Sequence, residues 1–123
     1  HRRDGSYEVR EGAERFDSGW IGMPSLAGLS AALDAPPEWR FDRVAEIAAA
    51  CRDALAERFE VVTNPGQAGL VSFRPEGDPV ETVERLREQD VIVRELPGRN
   101  LIRVSCGYWT SEDDLARLLG GLA

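Results

Sequence analysis

Apolar residues recur three or four positions apart in four segments, the spacing that gives an amphipathic helix one apolar face. The spacing predicts helices over residues 25–34, 43–58 and 79–89, and a last helix after residue 110. In the second of these, the apolar positions are Val44, Ile47, Ala48, Cys51 and Leu55. We therefore expect four helices, of which the first, 25–34, is expected to have its packing partner outside this chain.

Polar residues, proline and glycine indicate where these helices begin and end. The predicted N-caps have side-chain oxygens that accept hydrogen bonds from free backbone N–H groups, and they are Ser25, Asp42, Asp78 and either Ser111 or Thr110. Pro79 follows Asp78 and suits the first position of a helix. Gly120-Gly121 is predicted to end the last helix.

Short runs of β-branched and aromatic residues predict strands between the helices. These runs lie at 59–62, 69–74, 91–94 and 101–105. Residues 7–17 lack a helical stripe and are expected to form a short strand or an ordered arm. Pro36-Pro37 breaks the first helix and marks a junction.

From this junction onward the predicted order is α-β-β-α-β-β-α, and the short loops between paired strands favour antiparallel neighbours. We predict an α+β fold, a small two-layer sandwich with a mainly antiparallel sheet and its helices on one face. An N-terminal arm and a short helix precede it. The predicted division is into residues 1–36 and 37–123.

Composition excludes several kinds of catalytic site. All 15 basic side chains are arginines, and the one histidine is His1. A Schiff-base enzyme needs a lysine, and Ser-His-Asp catalysis or a His-rich zinc site needs placed imidazoles. We therefore expect no metal site and no complete catalytic centre within this chain.

Charge and hydropathy bear on the partners and the location. The net charge of −7 argues against a nucleic-acid partner, which needs a clustered basic surface. No apolar run approaches the roughly 18 residues that span a bilayer, so we expect no membrane segment and a cytoplasmic protein. Because the chain opens on residues 1–5 without Met, we expect it to belong to a longer protein.

Arg103 is the most informative candidate for chemistry. Along the strand 101–105, Ile102 and Val104 point to one face and Arg103 to the other. A guanidinium is always charged and binds a carboxylate through two parallel hydrogen bonds. The alternative is a solvated strand arginine with an acidic surface partner.

Two further pairs of residues are candidates for chemistry, one aromatic and one of cysteines. Tyr108-Trp109 either lines a pocket near Arg103 or forms a lid over the sheet edge. Cys51 and Cys106 fall on apolar positions and are expected to be small core residues, with no role in catalysis and no disulfide.

The order and spacing of several segments point to a known family. These segments are 91–94, 97–98, 101–105, 108–115 and 118–119, with 15–19 and 25–33 upstream. Together they resemble the end of class V aminotransferase-like enzymes, which are pyridoxal-phosphate (PLP) enzymes of fold type I. The family includes cysteine desulfurases, epimerases and C–S lyases.

The resemblance implies roles for individual positions. Arg103 would bind the α-carboxylate of an amino-acid substrate, with Tyr108 and Trp109 beside it. Ser18 and Gly19 would contact the cofactor, although Trp20 stands where the family usually has Thr. Residues 1–36 would come from the end of the large cofactor domain, and the protein would be a homodimer.

The resemblance also limits what this chain does alone. The lysine that carries PLP would lie outside these residues, so the chain by itself is expected to bind no PLP and to be inactive. The loop 95–100 lacks the cysteine of many desulfurases, which favours transamination, elimination or epimerisation. The alternative is a free-standing α+β module that binds a ligand or a protein without catalysis.

Overall fold

A computed structural model describes residues 4–9, 11–16, 19 and 22–123. The chain divides into two compact units, His1–Pro36 and Pro37–Ala123. The first unit contains a short 3-10 helix, Gly12–Phe16, and helix α1, Met23–Asp34. None of the α1 residues is buried.

Helix α1 begins earlier than predicted. Its N-cap is Gly22, which offers no side-chain hydrogen bond, and Ser25 lies inside the first turn. The prediction of Ser25 as N-cap is therefore wrong. Pro24 explains the difference, since the fixed φ of proline suits the first turn of a helix and lets the helix start ahead of Ser25. The 3-10 helix also replaces the strand considered for residues 7–17.

The second unit has the predicted order of elements. They are α2 (Arg40–Ala56), β1 (Glu60–Val61), β2 (Leu70–Arg74), α3 (Pro79–Arg87), β3 (Arg94–Leu96), β4 (Leu101–Ser105) and α4 (Glu112–Leu122). The four strands form one sheet in the order β1-β2-β4-β3, and every pair is antiparallel. The predicted α+β class is confirmed.

One face of the sheet and the three helices of this unit share a hydrophobic core. It contains Ile47, Ala48, Cys51, Leu55, Val71, Phe73, Leu86, Ile102, Val104, Cys106, Leu118 and Leu122. Alternate strand residues supply this core, so the residues between them lie on the opposite face of the sheet. That opposite face carries Ser72, Arg74 and Arg103, together with Leu70 and Leu101.

The helix starts of this unit agree with the prediction in two of three cases. Asp78 Oδ1 accepts hydrogen bonds from the backbone N–H groups of Val80 and Glu81 at 2.8 and 3.1 Å. Ser111 caps α4 in a reciprocal capping box with Asp114. Asp42, in contrast, is not an N-cap.

Helix α2 starts at Arg40 and its N-cap is Trp39, so Asp42 lies in the first turn. The carbonyl of Pro37 accepts hydrogen bonds from the backbone N and from Nη1 of Arg40, at 3.2 and 3.0 Å. These contacts extend the helix three residues toward the Pro-Pro junction.

Two other boundaries differ from the prediction. Residues 91–93 are not in a strand, because the Val91 N–H bonds the Leu86 carbonyl at 3.0 Å and so belongs to the end of α3. Strand β3 consequently covers Arg94–Leu96. Helix α4 also continues through Gly120-Gly121 to Leu122.

Candidate functional site

A row of polar residues crosses the face of the sheet opposite the three helices of the second unit. Arg103 in β4 pairs with Ser72 in β2 on one side and with Arg94 in β3 on the other. Ile102 and Val104, its neighbours along the strand, are buried in the core. Arg103 thus lies on the opposite face, where the alternation of the sequence predicted it.

Arg103 has an unsatisfied donor. Its Nε atom is buried and has no hydrogen-bond partner, and within the described ranges the side chain forms no ion pair. Buried polar groups nearly always have a partner, so an unpaired guanidinium nitrogen marks a position suited to an anion. The acidic surface partner of the alternative interpretation is not found among the described residues.

Other arginines of the second unit are neutralised. Arg43 contacts Glu112 at 2.8 Å and Glu46 at 2.9 Å, and these two hydrogen bonds raise the pKa of Arg43. Arg74, on the same sheet face as Arg103, contacts Glu60 at 2.9 Å. Arg103 therefore differs from them in having no carboxylate at hand.

Tyr108 and Trp109 lie in a tight loop between β4 and α4. Thr110 closes it, since its Oγ1 accepts from the Gly107 N–H at 2.9 Å and its own N–H bonds the Gly107 carbonyl at 3.0 Å. Tyr108 makes edge-to-face contacts with Trp39 and Trp109, at centroid distances of 5.9 and 5.0 Å. The loop is thus held by its own hydrogen bonds and by the contact of Tyr108 with Trp39.

Trp109 is 76% exposed and its ring lies over Gly107. It also lines a cavity of about 290 Å³ between residues 90–93, the end of β4 and the start of α4. Arg103 does not line that cavity. The structure therefore does not bring Trp109 and Arg103 together around one cavity, and their shared role in substrate binding stays a prediction.

The two expected cofactor contacts lie in the first unit. Gly19 has a φ of +76°, in the left-handed region that favours glycine. Ser18 lies outside the described residues. Their contact with a cofactor stays a prediction.

Cys51 and Cys106 are free and buried, as predicted for core residues. A hydrogen bond with Cys106, together with burial, raises the pKa of the Cys51 thiol, while the same hydrogen bond lowers the pKa of Cys106. Neither sulfur is presented to solvent as a reactive thiol requires.

Sequence reasoning missed Ser72 and Arg94 as neighbours of Arg103. The register of the strands decides which residues lie beside Arg103. Because the sequence predicted a strand over 91–94 instead of Arg94–Leu96, the pairing of Arg94 with Arg103 was not recognised. A signal was present, because Ser72 interrupts the apolar residues of β2 at an outward-facing position.

Neither a cluster of metal-ligating side chains nor a membrane-spanning helix occurs in the described residues. The described part of the chain holds no group of three or more His, Cys, Asp or Glu residues arranged for a metal ion. It also contains no helix of the length and apolar character needed to cross a bilayer.

Comparison with known proteins gives a match at the level of structure. No protein-family model and no curated protein sequence matches the chain. The complex of the cystine C-S lyase C-DES with its reaction product, cysteine persulfide, has a TM-score of 0.72 and 29% sequence identity. That match covers 92% of this chain and 32% of the lyase chain.

A second structure is a lysine-to-alanine mutant of C-DES with glycine covalently linked to its PLP cofactor. It has a TM-score of 0.67 and 27% identity, over 79% of this chain and 27% of the other. The chain therefore spans about a third of the length of these enzymes or less. It is similar in structure to the C-terminal part of a PLP-dependent C–S lyase with the class V aminotransferase-like fold, which confirms the resemblance expected from the sequence.

Proposed function

We propose that this chain is the part of a PLP-dependent enzyme that binds the carboxylate of an amino-acid substrate. The structural similarity to C-DES carries the proposal, because it covers nearly the whole chain. Within this part, Arg103 is the residue proposed to hold the α-carboxylate. Its guanidinium is always charged, its buried Nε has no hydrogen-bond partner among the described residues, and both facts support that role.

Among the reactions considered, we propose elimination at a carbon–sulfur bond as the one the parent protein catalyses. The similar structures are those of a C–S lyase. The connection between β3 and β4 supports this choice over a desulfurase. It is a short turn over residues 97–100, closed by a hydrogen bond from the Arg99 N–H to the Leu96 carbonyl, and it contains no cysteine.

The cofactor proposed for the whole protein is PLP, which stabilises negative charge on the α-carbon of a bound amino acid. The residues present fit a supporting role only: the chain has no lysine to carry PLP covalently, while Arg103 supplies a cation for the substrate. Ser18 and Gly19 are proposed as cofactor contacts. We also propose that the parent protein has a large cofactor domain in the same polypeptide, that it forms a homodimer and that it is located in the cytoplasm.

The test uses the full-length protein that contains this chain. Arg103→Ala is expected to raise the KM for the amino acid and to lower kcat/KM by about 30-fold to 1,000-fold. This factor corresponds to a loss of about 2–4 kcal/mol of transition-state stabilisation, since a charge-assisted double hydrogen bond is lost. The visible absorbance of the bound cofactor should remain, because Arg103 is not proposed to touch PLP. Steady-state kinetics and absorbance spectra measure both.

Arg87→Ala is the matched control, because Arg87 is an exposed arginine of α3, which belongs to the helical layer on the other face of the sheet. It should leave KM unchanged. Normal turnover by Arg103→Ala would refute the carboxylate-binding role. A full-length protein that neither binds PLP nor acts on amino acids would favour the free-standing binding module instead.

A further inference from the structure

We propose that a cleft at the edge of the sheet binds an extended peptide of a partner protein, one that carries an apolar residue and a basic residue. The cleft is the cavity of about 290 Å³ between residues 90–93, the end of β4 and the start of α4, and we call it the edge cleft. It lies on the helical side of the sheet and Arg103 does not line it. Binding there does not depend on the proposed function.

The pairing of β3 with β4 stops at the edge cleft. Arg94, the first residue of β3, pairs with Arg103. The same register would next place Ile92 opposite Ser105, but these two residues form no backbone hydrogen bond and both line the cleft. The chain before β3 is instead bonded to the end of α3 through the Val91 N–H. The two segments therefore separate here and leave the cleft between them.

Ser105 has a backbone donor and a backbone acceptor directed at the edge cleft. In an antiparallel sheet, the backbone groups of successive residues point alternately to the two neighbouring strands. Those of Cys106 point to β2, since the Cys106 N–H bonds the Gly69 carbonyl at 2.7 Å, so those of Ser105 point the other way. Within the described part of the chain, no hydrogen bond uses either group of Ser105. An extended peptide supplies an acceptor and a donor at this spacing, as it does when it adds a strand to a sheet edge.

The alternation of strand residues decides which side chains of the peptide enter the edge cleft. Paired residues of two antiparallel strands point to the same face, and the Ser105 side chain lies on the face that carries Arg103. The peptide residue that pairs with Ser105 therefore points to that face as well. The two residues that flank it point to the helical side, where the cleft lies.

The walls of the edge cleft suit one apolar side chain. They include Val91, Val93, Val104, Leu115 and Leu118. Ile92 and Trp109 also line the cleft and are 77% and 76% exposed, so a bound peptide removes apolar surface of both from water. A volume near the lower limit of about 300 Å³ for small-ligand sites suits one side chain and its backbone.

The charges at the edge cleft favour a basic residue beside this apolar one. Asp90, Asp114 and Arg117 line the cleft. Arg117 donates from Nη2 to the Asp90 carbonyl at 3.2 Å, and its Nη1 lies 3.8 Å from Asp114 Oδ1. The Asp90 carboxylate forms no ion pair within the described ranges. Because the chain has a net charge of −7, a basic peptide is also a better partner than a second copy of this chain.

The probe is a capped tripeptide of lysine, alanine and leucine, titrated into the 123-residue chain at low ionic strength while the backbone amide resonances are followed by NMR. We expect the amide resonances of Ser105 and of residues 91–93 to shift, and the Ser105 amide to exchange with solvent more slowly. N-methylation of the alanine removes the donor to the Ser105 carbonyl and should weaken binding about twofold to tenfold. Replacing the leucine by alanine should weaken binding about tenfold or more.

Asp90→Asn removes the unpaired carboxylate and should weaken binding about twofold to fivefold. Asparagine suits this position, because Asp90 has a φ of +59° and asparagine also adopts the left-handed conformation. Asp113→Asn is the matched control, since it makes the same change of charge at a residue that does not line the cleft. It should leave binding unchanged.

Unshifted resonances of Ser105 and residues 91–93 would overturn the proposal. Equal binding of the N-methylated peptide, or of a peptide with glutamate in place of lysine, would overturn it as well. These comparisons use the unmodified chain, so they decide even if a variant fails to fold. The titration is repeated with the full-length protein that contains this chain. Binding to the 123-residue chain alone would refute a separate partner, because a segment of the same polypeptide would then occupy the cleft.

Discussion

Gly121 of α4 packs closely against Leu86 of α3. A Cβ atom at this position would lie 2.6 Å from Leu86 Cδ2 and 3.0 Å from Gln89 Oε1. Its carbonyl also accepts a hydrogen bond from Arg85 Nη1 at 2.6 Å. The glycine therefore serves helix packing, although the sequence suggested that it ends the helix.

Gly121→Ala is expected to destabilise the fold by about 1–3 kcal/mol, because the fully buried Leu86 has no room to move. Gly120→Ala is the matched control, since nothing lies within 4 Å of an added Cβ there. That variant should be neutral or stabilising by up to about 1 kcal/mol, because alanine is the better helix former. Chemical denaturation measures both, and equal effects would contradict the packing role.

At the scale of single residues, the position of Arg103 could be predicted from the sequence, but its neighbours could not. The outward position of Arg103 follows from strand alternation and was expected. Whether an acidic side chain would neutralise it depended on residues far apart in sequence. Glu60 is placed beside Arg74 by the pairing of β1 with β2, and no described carboxylate reaches Arg103.

At the scale of elements, the start of α4 is the best-defined terminus. Ser111 Oγ accepts from the Asp114 N–H at 3.1 Å, and Asp114 Oδ2 accepts from the Ser111 N–H at 2.9 Å. Glu112 in the same turn binds Arg43 of α2 at 2.8 Å. The terminus thus combines a local cap with a tertiary contact.

Ser111→Ala is expected to cost about 1 kcal/mol of stability, because the Asp114 N–H loses its acceptor. Ser30→Ala, on an exposed position of α1, is the control and should not destabilise the protein. Urea unfolding followed by circular dichroism compares them. A fully stable Ser111→Ala would show that the cap contributes nothing.

The cap also predicts how stability depends on pH. Hydrogen bonds from the backbone and side chain of Ser111 hold the pKa of Asp114 below its ordinary value of 3.8. At a pH just below 3.8, the folded state therefore binds fewer protons than the unfolded state. The stabilisation from Asp114 is fully present above this pH and is lost as the pH falls through the folded pKa.

Asp114→Asn is expected to reduce the slope of the free energy of unfolding against pH below about pH 4, because the titrating group is gone. Asp113→Asn removes a neighbouring carboxylate that makes no capping hydrogen bond, and it should keep the original slope. Thermal unfolding midpoints measured between neutral and acidic pH test this. Identical slopes for Asp114→Asn and the unmodified chain would contradict it.

At the scale of the whole molecule, the hydrophobic core belongs to one unit. Every residue of the core cluster lies between Ile47 and Leu122, and α1 buries none of its residues. The second unit, Pro37–Ala123, therefore contains a complete core of its own.

A chain that begins at Pro37 is expected to fold cooperatively, because no described core residue is removed. Its thermal midpoint should stay close to that of the full chain, with the tryptophan near-ultraviolet signal retained. Leu86→Ala in the shortened chain is the comparison and should lower the free energy of unfolding by about 2–5 kcal/mol. Loss of cooperative unfolding on removal of residues 1–36 would show that the first unit supports the second.

The sequence alone determined the class of fold, the order of elements from Pro37 to the end, the cap at Asp78, and the resemblance to class V aminotransferase-like enzymes. It narrowed the cap of the last helix to Ser111 or Thr110. These features depend on local periodicity, hydrogen bonds between near neighbours and the spacing of segments. The boundaries of α1, α2 and β3 were less well predicted. Pro24 lets α1 start early, and backbone contacts of Pro37 and Leu86 shift the starts of α2 and β3.

Only the tertiary structure placed Ser72 and Arg94 on either side of Arg103 and left that arginine without a described acidic partner. It also assigned Gly121 to helix packing. The physical reason is the same in each case: strand register and helix contact join residues that are distant in sequence, and no local pattern records which side chains will meet.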